Sequence, residues 1–304
     1  METFVPLYIS NICDSSCLMC NLRRNNPNVK RVEANTEIIR RQLKIIKDFE
    51  NISAVCFLTG ERSAPADRLH NLKLIINSIK FAFEIGFKKA FFNIGSLTAG
   101  EVRILSQEFN ASEKPKLVLS LFQETYDRSA YSKYFGNDKS GSKADYDKRL
   151  STIDIWVEHG FSAIDIGILL GFERPLEDDI NALIAHANKF VSASIEVYVS
   201  TPRIKGGSVS DDTYKMVLKQ IRSALPKAKL ILTTRESVSF INDVIDLFDV
   251  VSPGSSDICP YSYDEYIPNN VSTSQFIIDE KRLRPSVVLD QINCKNIVHY
   301  NKQS

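Results

Sequence analysis

The chain has 304 residues, 43% of them hydrophobic and 25% charged, and its 38 lysines and arginines almost cancel its 37 aspartates and glutamates. That composition excludes a disordered or collagen-like chain. A formal net charge of +1 gives no electrostatic reason to expect a nucleic acid or an anionic membrane as partner, so a small-molecule substrate is expected.

In chain order, an apolar stretch at 4–9 predicts a first strand, and isoleucines and leucines at helical spacing over 36–49 predict a first helix. The pair recurs as strand 52–58 with helix 68–85, closed by Gly86, and then as 89–94 with 99–109 and 116–122 with 145–159. It continues as 162–170 with 176–190, 194–199 with 211–225, and 229–232 with 239–248, and a short strand at 250–251 is the eighth. Alternating strand and helix argues for a parallel sheet covered by helices. Eight strands in roughly 250 residues fit a single (β/α)8 barrel of the TIM type better than an open doubly wound sheet, whose first turn would be glycine-rich. No glycine-, serine- or proline-rich linker interrupts the pattern. Residues 1–256 therefore read as one α/β barrel, and 257–304, with little periodicity, as a short C-terminal tail packed on it. No apolar run approaches the ~20 residues of a membrane span, and METFVPLYISN has neither a basic region nor a small-residue cleavage site, which predicts a cytoplasmic protein.

The first turn carries cysteines. CDSSCLMC places Cys13, Cys17 and Cys20 at C-x3-C-x2-C spacing, while Cys56, Cys259 and Cys294 are scattered, too sparse for a disulfide scaffold. A structural zinc site wants four ligands, no second pair exists, and His70, His159, His186 and His299 are unclustered. Three thiolates suit a 4Fe-4S cluster with one iron open to a substrate or cofactor, which is an arrangement for chemistry. A loop directly after the first strand of a barrel lies at the C-terminal mouth, where barrel enzymes keep their sites. Glu61, Glu124, Arg203, Arg235 and Ser252 each follow the end of a different predicted strand, so they converge on that mouth, although any one of them alone reads equally well as a solvated loop residue. Asn93, Phe122, Tyr198, Ser200 and Thr233 are strand-borne and could line a pocket or, for the larger ones, belong to the barrel core.

The cysteine triad is the signature of the radical SAM (S-adenosylmethionine) superfamily. The blocks LYISNICDSSCLMC, FLTGE, LFQETY, GSKADYDKRL, IDIGILLGF, STPRI, TTRES and SPGS, in that order, resemble its aromatic amino-acid lyase branch, over about 6–256. That branch includes the tyrosine lyases of thiamine synthesis and hydrogenase maturation and 3-methyl-2-indolic acid synthase. The resemblance implies a 4Fe-4S cluster on Cys13, Cys17 and Cys20, with S-adenosylmethionine held by Gly60, Glu61, Glu124 and Arg149 and its adenine lined by Gly167 and Leu169. Glu61 would receive the ammonium group of SAM and Arg149 its carboxylate, a match suited to a guanidinium fork; the plain alternative for Arg149 is a surface arginine paired on its helix. Arg235 and Ser252 resemble the pair that holds the substrate carboxylate, with Arg203 completing that anion site or only buttressing it, and Arg235 could instead pair with Glu236 or Asp257. Met19 stands where an aromatic residue is usual and can pack softly on a purine. Cys259 and Cys294 lack a C-x2-C partner for an auxiliary cluster.

The activity so implied is reductive cleavage of SAM to a 5′-deoxyadenosyl radical, used for Cα–Cβ cleavage or rearrangement of a free L-amino acid, aromatic ones first, with a flavodoxin or ferredoxin as reductant. Radical chemistry on another small metabolite remains an alternative, because the fold does not fix the substrate. A non-enzymatic iron-sulfur assembly protein is a third reading, and it would have no use for Glu61, Glu124 and Arg149 together.

Overall fold

A computed structural model of the chain describes residues 1–136, 141–204, 209–233, 236–254, 257–263 and 284–292. Its strands lie parallel in one sheet whose two ends are β1 (Glu2–Thr3) and β2 (Val5–Tyr8). These are consecutive halves of the first strand, separated only by Phe4. β1 pairs with β9 (Val250–Ser252) and β2 with β3 (Ala54–Leu58), so one stretch of chain holds both ends of the sheet and closes it into a barrel. β4 (Lys89–Asn93), β5 (Leu117–Ser120), β6 (Ala163–Gly167), β7 (Glu196–Ser200) and β8 (Lys229–Thr233) fill the circle in sequence order. The eight expected strands are therefore present, with the first beginning at Glu2 and divided in two.

The helices between strands are α1 (Thr36–Lys44), α2 (Pro65–Glu84), α3 (Ala99–Glu108), α4 (Arg128–Phe135), α5 (Tyr146–Glu158), α6 (Glu177–Ser192), α7 (Asp211–Ala224) and α8 (Val238–Val244); α9 (Pro285–Gln291) follows the barrel. Local chemistry starts them. Asp127, Asp145, Ser210 and Ser237 each cap a helix by accepting from the N–H three residues on, and Thr98 with Glu101 forms a reciprocal capping box on α3. α2 starts at Pro65, ahead of the expected residue 68, because proline's fixed φ suits a first helical turn. α4 lies inside a stretch in which the hydrophobic pattern indicated no helix. The strand expected over 162–170 ends at Gly167, beyond which only single bridges remain, Glu124 to Ile168 and Leu170 to Arg203.

Two apolar layers follow from the alternation of strand side chains. Outward residues such as Leu7, Val55, Phe92, Leu119, Ile164 and Val199 meet the helices in the main core. Inward ones, Phe4, Phe91, Val118, Ala163, Tyr198, Ile231 and Val250 among them, pack inside the barrel. Phe4 stacks on Phe91 at 4.4 Å, and Phe91 meets Tyr198 edge-on at 5.0 Å. Beneath this plug, Glu196 bridges Lys89 and Lys229, each at 2.7 Å, and Lys229 also pairs with Glu2. The N-terminal end of the barrel is thus closed by packed rings and a satisfied charge network. Within 257–304, Gln42 exchanges hydrogen bonds of 2.7 and 2.8 Å with the backbone of Tyr261, and Arg284 pairs with Glu50 at 3.0 Å; Cys294 and His299 lie outside the described residues. Among the described residues no helix is long and apolar enough to cross a membrane.

Candidate active site

The C-terminal mouth holds a cavity lined by Cys13, Cys17 and Cys20 together with Glu61, Glu124, Arg149, Leu169 and Ser252. The cysteine loop is fixed by its own backbone and by its neighbours. Arg31 donates to the carbonyls of Asn11 and Leu22 at 2.8 Å and of Arg23 at 2.7 Å, and Leu18 N–H donates to Tyr134 O on α4 at 2.9 Å. Asp14 ties the loop to the Thr59–Gly60–Glu61 turn: its N–H reaches Glu61 O at 2.8 Å, and its carboxylate accepts from Ser63 N–H at 2.7 Å and from Arg62 at 3.3 Å. Gly60 is required by this approach, since a Cβ there would lie 2.3 Å from Ile12 O and 2.6 Å from Cys13 Cβ.

Behind the loop sits a buried cluster of four charges. Arg149, on α5 and 1% exposed, donates to Glu61 at 2.8 Å, to Phe122 O at 2.6 Å and to Glu124 at 3.4 Å, which removes the surface-arginine alternative. Lys143 pairs with Glu124, and Ser142 donates to Glu61 at 3.2 Å. Two carboxylates and two cations cancel, which makes so deep a burial tolerable. Burial acts against the Glu61 carboxylate, but Arg149, Lys143 and Ser142 together hold it below the usual carboxylate range. Burial likewise opposes the Lys143 ammonium, and Glu124, with Cys17 and Glu61, outweighs it and raises Lys143. Glu124 adopts φ 71°, a left-handed conformation uncommon for a non-glycine residue, while its N–H donates to Gly167 O at 3.3 Å and its carbonyl accepts from Leu169 at 2.8 Å.

Lys143 was not singled out from the sequence. It lies in GSKADYDKRL, two residues before the Asp145 cap in a segment rich in charge, where nothing in the pattern distinguishes it from Lys148. The signal that could have found it is the Asp145 cap, which fixes where α5 begins and so turns the preceding residues into the mouth. Arg203 is not among the cavity-lining residues: it pairs with Glu236 and with Asp211 at 2.8 Å, and its guanidinium lies 5.0 Å from the Tyr214 and Phe240 ring centroids. That geometry fits the buttress and not the anion site. Arg235 lies outside the described residues, and Glu236, its alternative partner, is taken by Arg203. Met19 packs with Tyr131, Phe135, Leu169 and Phe172 on the flank of the cysteine loop. At Gly167 a Cβ would stand 2.2 Å from Ser200 O, so the glycine serves the close approach of β6 and β7. Asn93, Phe122, Ser200 and Thr233 line the cavity, whereas Tyr198 belongs to the packed floor.

The donor set fits an iron-sulfur cluster and a polar cofactor. All three thiols are free and line one cavity, yet among the described residues no group of His, Cys, Asp and Glu converges on a position for a single metal ion. Burial pushes Cys17 up to about 11 and raises Cys13 and Cys20, so these groups resist becoming thiolates until a cation arrives. Ser15 Oγ, on a residue that lines the cavity, is buried and has no hydrogen-bond partner from the protein.

No family model matches the chain. It is 27% identical to 2-iminoacetate synthase of Salmonella typhimurium and 24% identical to that of Escherichia coli, over 97% of this chain and 75% of each relative. Its structure superposes on the FeFe-hydrogenase maturase HydG from Carboxydothermus hydrogenoformans with a TM-score of 0.79 at 26% identity, covering 96% of this chain and 66% of that one. The chain is similar in sequence and fold to radical SAM tyrosine lyases. Methylornithine synthase shares the fold, with a TM-score of 0.69 at 16% identity over 95% of this chain and 81% of that one.

Proposed function

We propose that this protein is a radical SAM carbon–carbon lyase that acts on a free aromatic L-amino acid. The observation that carries the reading is the meeting, in one cavity, of three free thiols, a charge-neutral Glu61–Arg149–Glu124–Lys143 cluster and Ser252. Cys13, Cys17 and Cys20 would hold the 4Fe-4S cluster. The cluster and S-adenosylmethionine, when bound, supply the 5′-deoxyadenosyl radical that starts the chemistry.

The chain's own residues bind, orient and exclude water. A zwitterionic amino-acid group placed against the four-charge cluster finds carboxylates for its ammonium and cations for its carboxylate, and leaves the buried net charge at zero. Glu61 takes the ammonium and Arg149 the carboxylate, with Lys143 as a second cation on the same side. Leu169 offers apolar surface for the adenine, with the soft Met19 side chain packed behind it on the flank of the cysteine loop. Ser252, at the end of β9, and Arg235, two residues past β8, take the carboxylate of the substrate. Holding substrate and cofactor in one cavity converts an encounter into a positioned reaction. A flavodoxin or ferredoxin supplies the electron.

The test is anaerobic reconstitution with iron and sulfide, followed by SAM, dithionite and L-tyrosine or L-tryptophan. 5′-Deoxyadenosine is expected together with p-cresol or an indole-derived product. About four irons per chain with SAM cleavage but no amino-acid product would leave a radical SAM enzyme with another substrate, and stoichiometric zinc with no SAM turnover would overturn the reading altogether.

A further inference from the structure

The cavity extends into the barrel as far as Phe4 of the interior layer, and Asp165 is the carboxyl on its strand-borne wall. This residue lies on β6 between Ala163, in the interior plug, and Gly167 at the mouth; its side chain is 2% exposed and belongs to the cavity lining. Ser120 on β5 donates to its Oδ2 at 2.6 Å, and Ser200 on β7 donates to its Oδ1 at 3.0 Å. Each oxygen thus accepts one hydroxyl, and a carboxylate has room for about four hydrogen bonds in all. Among the described residues no charged partner offsets it, and burial pushes it up to about 7 against the two serine hydrogen bonds. A buried carboxyl without a counter-ion is costly unless something else completes its hydrogen bonding. Here it faces the space reserved for a ligand.

The surrounding walls restrict what that ligand can be. Phe4, Pro6, Leu58, Phe122 and Ile231 line the same cavity, with Asn93 and Thr233 as further polar groups besides the two serines, so the carboxyl is set among mostly apolar side chains. A side-chain ammonium could pair with the carboxyl but would leave the apolar walls unfilled. A flat ring with a single donor meets both the apolar walls and the carboxyl. We propose that Ser120, Asp165 and Ser200 form the side-chain recognition subsite, and that it selects an aromatic amino acid whose ring carries one hydrogen-bond donor, a phenol O–H or an indole N–H. The proposal rests on the amino-acid lyase reading and sharpens it: phenylalanine, equally apolar but without a donor, is excluded. Asp165 acts here as a specificity residue, gripping the ring at the end away from the cluster.

The experiment measures binding by anaerobic calorimetry to the enzyme loaded with its cluster and SAM, so that turnover is not the only readout. L-Tyrosine is compared with L-phenylalanine, and L-tryptophan with L-3-benzothienylalanine, its isostere lacking the N–H. The parent protein is expected to prefer the donor-bearing member of one pair by roughly 10- to 100-fold, the worth of one hydrogen bond to a charged group. The pair that shows the preference identifies the ring. Asp165→Leu should bring that ratio to within about threefold, and Asp165→Asn, which keeps shape but not charge, should reduce it several-fold, both with unchanged SAM affinity. Should the leucine variant not fold, the asparagine variant and Ser120→Ala carry the same comparison. Equal binding of both members by the parent, or an undiminished ratio in the variants while tyrosine or tryptophan is still converted, removes the subsite and leaves the lyase intact. Absence of binding and product with any of the four amino acids removes both.

Discussion

Arg149 is the residue on which the buried charge cluster balances, and Arg149→Leu tests that directly. The substitution takes away the donors to Glu61 at 2.8 Å, to Phe122 O at 2.6 Å and to Glu124 at 3.4 Å. Glu124 keeps Lys143, but Glu61 keeps only the Ser142 hydroxyl and the more distant Lys143 charge. Removing one member of a buried pair costs about 3–5 kcal/mol, and the stranded Phe122 carbonyl adds about 1 kcal/mol. For a chain of this size that corresponds to a fall in melting temperature on the order of 10 °C. The double variant Arg149→Leu with Glu61→Gln should recover much of the loss, because the cost lies in the uncompensated carboxylate and not in the missing contact. Acid should act in the same direction. In the parent, Glu61 is held below its unfolded value, so its contribution to stability is present above the unfolded pKa and is lost as pH falls through the folded one. In the leucine variant Glu61 has lost the cation that lowers it, and the deficit relative to the parent should shrink on acidification. Urea unfolding of the metal-free parent, both single variants and the double variant at neutral and at mildly acidic pH closes the cycle. A single variant within about 1 kcal/mol of the parent, or a double variant whose loss is the plain sum of the two, would refute this account of the cluster.

Alanine at Cys13, Cys17 or Cys20 should abolish cluster loading, measured as bound iron and sulfide, whereas Cys56→Ala, in the apolar layer, should not. Gly60→Ala must move the cysteine loop by about 1 Å to relieve a 2.3 Å contact, so reconstituted iron should drop while the circular-dichroism spectrum is kept. Lys143→Met and Glu61→Gln should each weaken SAM binding by roughly 10-fold or more, the worth of one charge-assisted hydrogen bond, in equilibrium dialysis without any amino acid. The folded pKa of Asp165, near 7, lies above its unfolded value, so its contribution to stability is full at low pH and is lost as pH rises through 7. Asp165→Asn should therefore gain on the parent between pH 5 and 8 in thermal melts, with neighbouring Cys56 remaining a thiol throughout.

The alternation of strand and helix made the barrel legible, because each strand is a short apolar run and each helix carries the 3.6 period. The cysteine loop, Glu61, Glu124 and Ser252 were legible for a related reason: they follow strand ends, and a parallel barrel sends all those ends to one mouth. Residues that reach the site by another route were harder to read. Lys143 comes from a loop before α5 whose position depends on a cap and on α4, and α4 itself has too few apolar residues to announce a helix. Arg203 follows a strand end but is drawn outward by Glu236 and Asp211, a competition between partners that periodicity does not register. Asp165 looked like one more residue of a buried strand, and only the register of β5, β6 and β7, which sets Ser120 and Ser200 beside it, gives it a role.

The rings and charges that shut the N-terminal end of the barrel dictate traffic as well as stability. Among the described residues Phe4, Phe91 and Tyr198, backed by Lys89, Glu196 and Lys229, fill the barrel below the cavity, so what enters arrives through the cysteine-lined mouth and leaves by it. A vessel with one opening makes its contents pass one another. The amino acid, seated deeper, must pass SAM when SAM binds first, and its fragments must pass the spent nucleoside to leave. Pre-equilibration with excess SAM should then slow association of the amino acid, a kinetic signature set by three aromatic rings and a handful of ion pairs far from any reacting atom.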